Sequence, residues 1–335
     1  MTKSETKHKV FTPWAAAAAL ALAVSLIFTA CPQTTGGGGD ALADKTENVE
    51  GIQFTMKGIA AVTNGKIGHA DQEHNGERTV SLTAYHIGQT EVTQDLWEAV
   101  MGGNPSAFSG GSNPPASGET QGARPVERVN WYSAIAFCNK LSLKLGRAPV
   151  YTVTVGGTPV DFESLTITQI PTADNADWNN VQADWSVNGF RLPTEAEWEW
   201  AAKGGQNFKW AGTDNKDQLK HYAWYGWYKD DGDQDGGDAG GKTHQVKLKR
   251  PNGYGLYDMS GNVCEWCWDR YEDEDTVPAS VPLDYAGETG DLGDRRVRRS
   301  GGLCFGSKEA TCAFRTRSDP DYWTYDTGLR LVCRP

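Results

Sequence analysis

Three sets of residues in this sequence have the types and spacing to do chemistry. The first is sulfur. Of seven cysteines, Cys264 and Cys267 form a C-x-x-C step, and Cys304 and Cys312 lie near the C-terminus. A reactive thiol must be held as thiolate by a helix N-terminus or a neighbouring cation, and no helix-capping residue precedes Cys264. A zinc site would need a second such pair or paired histidines, and the sequence offers neither. Structural cysteines are therefore expected. The second set is carboxylate. Glu195, Glu197 and Glu199 crowd one short stretch, but acidic groups in a first helical turn ordinarily complement the helix dipole. Asp230 to Gly241 is acidic and glycine-rich, and its oxygens would suit calcium. It lacks the ordered spacing of the twelve-residue calcium loop, so a solvated loop is expected, with no cofactor and no metal site. The third set is aromatic. The closing stretch, Arg299 to Pro335, carries Phe305, Tyr322, Trp323 and Tyr325 among Ser, Thr and Asp. Rigid rings mixed with adaptable polar groups suit contact with another molecule. Taken alone, the same composition fits an aromatic loop packed on its own core at least as well.

The elements that must position these groups are legible in part. Ile52–Met56 alternates like a strand, and Arg78–His86 alternates again with Val80, Leu82 and Ala84 on one face. The Asn64-Gly65 and Asn75-Gly76 steps read as turns. Thr93–Met101 reads as a helix capped by Thr93 and stopped by Gly102. A second helix follows Asn130, with Ala134, Cys138, Leu141 and Leu145 in one stripe that ends at Gly146. That stripe points Cys138 into the core. Residues 149–188 form an excursion in which Tyr151–Val155 and Leu165–Ile167 are strand-like. Thr194–Glu197 is a capping box opening a third helix with Trp198, Ala201 and Ala202 on its apolar side. Cys264–Asp269 reads as a buried strand, and Gly328–Cys333 as the final one.

The formal charge is −11 and no long Lys/Arg run occurs, which argues against a nucleic-acid partner. The compact basic cluster, Arg295-Arg296 with Arg298-Arg299, is expected to pair locally with Glu288, Asp291 and Asp294. At the N-terminus, Lys3, Lys7, His8 and Lys9 precede an apolar run from Ala15 to Ala30. That run is shorter than the ~20 residues a membrane span needs and fits an export signal. Its end, Thr29-Ala30-Cys31, resembles the lipobox of bacterial lipoproteins, although Phe28 stands where Leu is usual. The expectation is a signal peptide over 1–31, lipidation at Cys31, and a flexible glycine-rich tether over 32–50. The alternative is ordinary secretion with a chance cysteine. Export permits disulfides.

The order of the pieces resembles the formylglycine-generating, or sulfatase-modifying factor, family. The residues that carry the resemblance are Phe54-x-Met56-x-Gly58, Glu91-Val92-Thr93, Pro125-Val126 through Asn130-Trp131 with Ala134 and Cys138, Phe190-Arg191-Leu192-Pro193-Thr194-Glu195-Ala196-Glu197-Trp198-Glu199, Gly255-Leu256-Tyr257-Asp258-Met259-x-Gly261-Asn262-Val263-x-Glu265-Trp266, Gly301-Gly302, and Gly328-Leu329-Arg330-Leu331. The resemblance implies an α+β fold of C-type lectin-like form: a small twisted antiparallel sheet, a few helices and much irregular loop, in one domain over 51–335. It also implies a disulfide between Cys138 and Cys333, because the family pairs a cysteine on this helix with one near the chain's end.

Fold alone does not settle function. The family's enzymes oxidise a substrate cysteine to formylglycine with two cysteines in a C-x4-C arrangement. Here Cys304 and Cys312 have seven residues between them, and catalytic geometry does not tolerate such a displacement, so enzyme activity is not expected. The closing stretch 299–335 also resembles the variable region of proteins diversified by retroelements, which vary exposed positions between a Gly-Gly step and the terminal strand. The matching slots hold Cys304, Phe305, Ser307, Ser318, Asp319, Asp321, Tyr322, Trp323, Thr324, Tyr325 and Asp326. That resemblance implies a C-terminal face that binds a protein or glycan ligand, and the export signal and lipid anchor would place that face outside a bacterial cell; a monomer is expected. The aromatics would supply contact area, and Asp319, Asp321 and Asp326 would set orientation and reject acidic partners. A plain structural envelope protein of the same family, without diversification, is the remaining alternative.

Overall fold

The chain's last strand segment joins two sheets, and the fold is best followed from there. The computed structural model describes residues 42–72, 75–226, 237–272, 280, 282–287 and 293–335. Thr327–Leu329 pairs in parallel with Cys264–Arg270, and Val332–Cys333 pairs antiparallel with both Tyr85–Gly88 and Phe190–Arg191. The expected single final strand is thus two short ones in different sheets. Arg330 sits at the crossing, fully buried, and its guanidinium donates to Glu265, to the Gly88 carbonyl and to the Tyr257 carbonyl. A buried cation needs several partners, and the break in the strand lets it reach them.

The first sheet has five strands in the order Lys45–Val49, Ile52–Ile59, Tyr85–Gly88, Val332–Cys333, Phe190–Arg191. The second has four, in the order Thr316–Ser318, Arg296–Arg299, Cys264–Arg270, Thr327–Leu329. Among the described residues four α-helices accompany them: α1 (Gln94–Met101), α2 (Trp131–Lys144), α3 (Ala176–Asn179) and α4 (Glu195–Lys203). The architecture is α+β, with few helices and short, mostly antiparallel strands. All described residues fall in one unit.

The three long helices begin where the sequence places their caps. Thr93 accepts from Leu96 N, Asn130 from Ser133 N, and Thr194 closes a capping box with Glu197. Trp97 on α1 stacks on Phe137 of α2 with centroids 4.9 Å apart. Trp97, Trp131, Trp198 and Trp266 are each fully buried, and truncating such a side chain to Ala costs ~3–5 kcal/mol. Cys138 lies on the buried stripe of α2 as expected.

Several expectations are corrected. Lys45–Val49, assigned to the tether, is an edge strand. Glu50 and Gly51 both have positive φ, 52° and 89°, a two-residue hairpin turn that folds Lys45–Val49 back onto Ile52–Met56. Arg78–Leu82 and Tyr85–Gly88 are two strands in different sheets. The chain breaks between them where Asp284 takes the Thr83 N–H and hydroxyl, which leaves Ala84 half-buried. Asn64-Gly65 lies inside the strand Val62–Ile67 at a register shift, not at a turn. Leu165–Ile167 is no strand; Ile167–Gln169 is a single 3-10 turn capped by Thr166.

The arginine cluster pairs at long range. Arg299, fully buried, binds Glu195 and Glu199 of α4, each at 2.8 Å. Arg315 binds Glu195 through two contacts of 2.8 Å. The glutamates that look like dipole complements are therefore a buried ion-pair network holding α4 to the second sheet. Arg295 pairs with Asp319, and Asp294 with Arg270; Glu288 and Asp291 lie outside the described residues. So do Cys31, the export signal, and residues 230–236 of the acidic loop. Among the described residues, no cluster of His, Cys, Asp and Glu is placed to hold a metal ion.

Candidate functional site

The segment from Ser318 to Asp326 runs from the edge strand Thr316–Ser318 to Thr327–Leu329, and the frame grips it by the main chain. Pro320 O accepts from Trp131 N at 2.9 Å, Thr324 O from Arg128 N at 3.0 Å, and Asp326 O from Cys264 N at 2.6 Å. Within the segment, Tyr322 N donates to Asp319 O at 3.0 Å. Each anchor uses a carbonyl that any residue supplies. These three anchors of the loop's course therefore do not depend on side-chain identity.

Two glycines make this possible. Gly301 has φ 57°, and a Cβ there would lie 2.0 Å from the Glu309 carbonyl oxygen; one at Gly328 would lie 2.4 Å from Val126 O. The backbones at both ends of the region are packed too closely for any side chain.

The side chains divide sharply. Tyr322 and Trp323 are 44% and 47% exposed. Tyr322 lies under the Arg298 guanidinium at 5.2 Å, and Trp323 under that of Arg128 at 4.5 Å. Asp319 is exposed and pairs with Arg295 at 3.3 Å, while Ser318, Asp321 and Thr324 are half-exposed. Phe305 and Tyr325 are half-buried. Both pack with Leu303 and Phe108, and Tyr325 meets Phe108 edge-on at 6.1 Å. Three expected display positions belong to the interior: Cys304, Ser307 and Asp326, at 7%, 2% and 6% exposure. Cys304 joins the cluster of Phe108, Ala239 and Leu303. The Ser307 carbonyl accepts the Trp210 indole N–H at 2.7 Å. Asp326 is turned in beside Thr327 and Cys304.

The six cysteines among the described residues are unbonded and buried. The expected Cys138–Cys333 disulfide is not formed. Cys138 sits in the apolar stripe of α2, where burial holds its thiol far above the ordinary value, and Cys333 takes an N–H of Arg147 at 3.5 Å. Burial also pushes Cys264 and Cys312 up to about 12. Burial, and then the Asp326 carboxylate, raise Cys304 further. These are protonated, enclosed thiols, the opposite of the exposed thiolate that oxidation chemistry uses.

Beside Trp323 the structure opens a cleft that the sequence did not reveal. Its volume is about 490 Å³, and its lining includes Trp97, Arg128, Val129, Ile167, Ile170 and Pro171. Ile167 is 37% exposed, and Arg128 is exposed with φ 60°. The available signal was an isoleucine-bearing turn in the 149–188 excursion, which strand-like alternation concealed.

The sulfatase-modifying factor enzyme 1-like domain, a family model, matches residues 41–335. The chain belongs to this family. Like other members, it carries the fold that the resemblance implied. The solved structure of Treponema denticola variable protein 1 shares 54% identity and a TM-score of 0.81, over 88% of this chain and 100% of that one. Chaperone protein LppX of Paenibacillus barcinonensis is 34% identical over 267 residues, 76% of this chain and 82% of that protein. The formylglycine-generating enzyme of Mus musculus is 38% identical over 165 residues, 46% of this chain and 42% of the enzyme. The chain is thus similar to proteins named as a formylglycine-generating enzyme, a chaperone and a variable protein. In this member the closing region presents two exposed aromatics on a backbone-anchored loop, and its cysteines are enclosed.

Proposed function

We propose that this family member is a lipid-anchored binding protein of the bacterial envelope, whose 318–325 segment faces outward, captures a protein or glycan ligand and differs between gene copies. One observation carries the reading: the segment is fixed through the carbonyls of Pro320, Thr324 and Asp326, so the exposed Tyr322 and Trp323 side chains are spared structural work. Tyr322 and Trp323 supply rigid apolar area with little rotamer entropy to lose. Exposed aromatics of this kind become hot spots when a partner covers them, each costing ~2 kcal/mol or more on truncation. Asp319, already paired with Arg295, and half-exposed Asp321 set the partner's orientation. Cys304, Ser307 and Asp326 drop out of the contact face and serve the frame beneath it. Similarity to a protein named as variable supports the diversified reading over a plain envelope role, and the raised cysteines weigh against the oxidase.

The test is deep sequencing of the 3′ end of the gene across a cell population, with biotinylation of intact cells by a membrane-impermeant reagent. Substitutions concentrated at the codons for Phe305, Tyr322, Trp323 and Tyr325, with Gly301, Gly302 and Leu329 constant, together with surface labelling, are the expected result. Uniform sequence with labelling selects the non-diversified envelope protein, and absence of labelling removes outward display.

A further inference from the structure

The cleft shares Trp323 with the loop that the proposed function assigns to recognition, and its other walls come from the frame. Its walls are apolar: Val129, Ile167, Ile170 and Pro171. Its volume, about 490 Å³, is within the range of pockets that enclose small ligands. The polar groups around it are unevenly used. Asn130 accepts from Ser133 N at 2.9 Å and donates to Pro171 O at 2.8 Å, and the Ser133 hydroxyl donates to Asn130 O at 2.8 Å. Those groups are spent on starting α2. Two others are not. Trp97 is completely buried, and its indole Nε1 has no hydrogen-bond partner. Arg128 makes no ion pair among the described residues, and its guanidinium rests on the Trp323 ring at 4.5 Å.

Indole and guanidinium are donors only. The cleft therefore sets one exposed donor, the Arg128 guanidinium, next to an apolar wall and at the positive end of the 14-residue helix α2. An unpaired buried donor is costly and rare in folded proteins. Arg128 is also held at φ 60°, a conformation that costs free energy for a residue with a side chain and clusters at ligand sites. The neighbouring acids are engaged elsewhere: Glu127, which feels the Arg128 charge, takes the N–H groups of Ala107 and Phe108, and Asp319 is engaged by Arg295 at 3.3 Å.

We propose that this cleft is an anchoring subsite for an apolar carboxylate: a bulky apolar side chain of a peptide partner seated against the apolar wall that includes the Trp97 ring, with an adjacent carboxyl group that pairs with the exposed Arg128 guanidinium. The proposal rests on the reading of the 318–325 segment as a recognition face and extends it. The frame supplies a fixed pocket that grips one common chemical feature, and the loop beside it, ending in Trp323, reads what surrounds that feature.

The test is a titration of the full-length protein, selectively ¹⁵N-labelled at tryptophan, with N-acetyl-L-phenylalanine and with its neutral amide. The Trp97 indole signal, assigned by Trp97→Phe, is expected to shift saturably with the acid, and the amide to bind about tenfold more weakly, the difference one charge-assisted contact makes. Arg128→Gly removes the guanidinium and relieves the left-handed backbone, so it is expected to erase the preference for the acid without lowering the melting temperature. Leu248→Ala, an exposed residue that lines no part of the cleft, is expected to leave the titration unchanged. No saturable shift at Trp97, equal binding of acid and amide, or a preference that survives Arg128→Gly overturns the proposal. The sequencing and labelling experiment on cells shares no reagent with this one, so failure of the cleft and failure of the displayed loop are told apart.

Discussion

Asp269 accepts the backbone N–H of Glu195 at 2.7 Å, and the two neighbouring carboxyls are forced to opposite ends of the pH scale. Burial would raise both. At Glu195, Arg315 and Arg299 outweigh it and hold the group at about 2. At Asp269, burial is joined by the charge of Glu195, and the group is pushed up to about 8. Glu195 is thus the ionised member and Asp269 the protonated one at neutral pH.

The stability profile follows from the signs. Glu195 is depressed in the fold, so its contribution is present above the ordinary carboxylate range and is lost as pH falls toward about 2. Asp269 is raised, so the native state holds a proton that the unfolded chain releases at about 4. Its contribution is present below that value and declines as pH rises through about 8. Urea midpoints measured from pH 3 to pH 9 are expected to peak on the acid side of neutrality. Asp269→Asn keeps the acceptor for Glu195 N and is expected to flatten the alkaline limb while leaving the acid limb in place. An unchanged alkaline limb refutes the assignment.

Arg299 is the hub of the same network, fully buried between Glu195, Glu199 and the Cys312 carbonyl. Removing one partner of a buried pair leaves uncompensated charge, at a cost of ~3–5 kcal/mol. Arg299→Ala is expected to lower the free energy of unfolding by that amount, read from urea denaturation. Arg295→Ala, which breaks an exposed contact with Asp319, is expected to cost less than about 1 kcal/mol. Equal effects would show that the network does not hold α4 to the sheet.

The loop aromatics are not equivalent. Tyr322 and Trp323 are 44% and 47% exposed, so the double variant Tyr322→Ala, Trp323→Ala is expected to leave the melting temperature within about 3 °C of the parent. Tyr325 packs against Phe108 at 6.1 Å, and Tyr325→Ala is expected to lower it further than the double variant does. Thermal melts of the two proteins decide the point, and the reverse order would place Tyr322 and Trp323 in the frame.

The legible parts of the sequence are those written in local chemistry. Thr93, Asn130 and Thr194 each cap a helix because a short polar side chain must meet orphan N–H groups next to it in sequence. What the sequence hides is written at long range. The alternation of Arg78–His86 looks like one strand, and only the distant Asp284 carboxylate reveals the break at Thr83. Glu195 and Glu199 look like surface acids until Arg299, a hundred residues later, buries them. The display slots follow the same rule: Tyr322 and Trp323 extend outward as the resemblance implied, while Cys304 and Asp326 were claimed by packing with Phe108 and Thr327. The cleft was invisible because it needs α1, the start of α2 and the Ile167 turn together.

The enclosure of the cysteines bears directly on the oxidase alternative. Turnover on a substrate thiol requires an enzyme sulfur that is exposed and ionisable near neutral pH. Cys304 and Cys312 are 7% and 1% exposed, and burial holds both thiols far up the scale, Cys312 at about 12. Bringing them to a substrate would require opening the packing around Leu303 and the bond from Arg299 to the Cys312 carbonyl, which is 2.6 Å long. The six cysteines from Cys138 to Cys333 are therefore expected to resist an aromatic disulfide reagent in the native protein and to react once it is unfolded in urea. Incubation with a cysteine-containing sulfatase peptide, copper and oxygen is expected to yield no aldehyde by mass spectrometry. Rapid native labelling of Cys304 or Cys312, accompanied by aldehyde, would return the protein to the enzymes of its family. Aldehyde lost on Cys312→Ser in a protein that still folds would name the residue responsible.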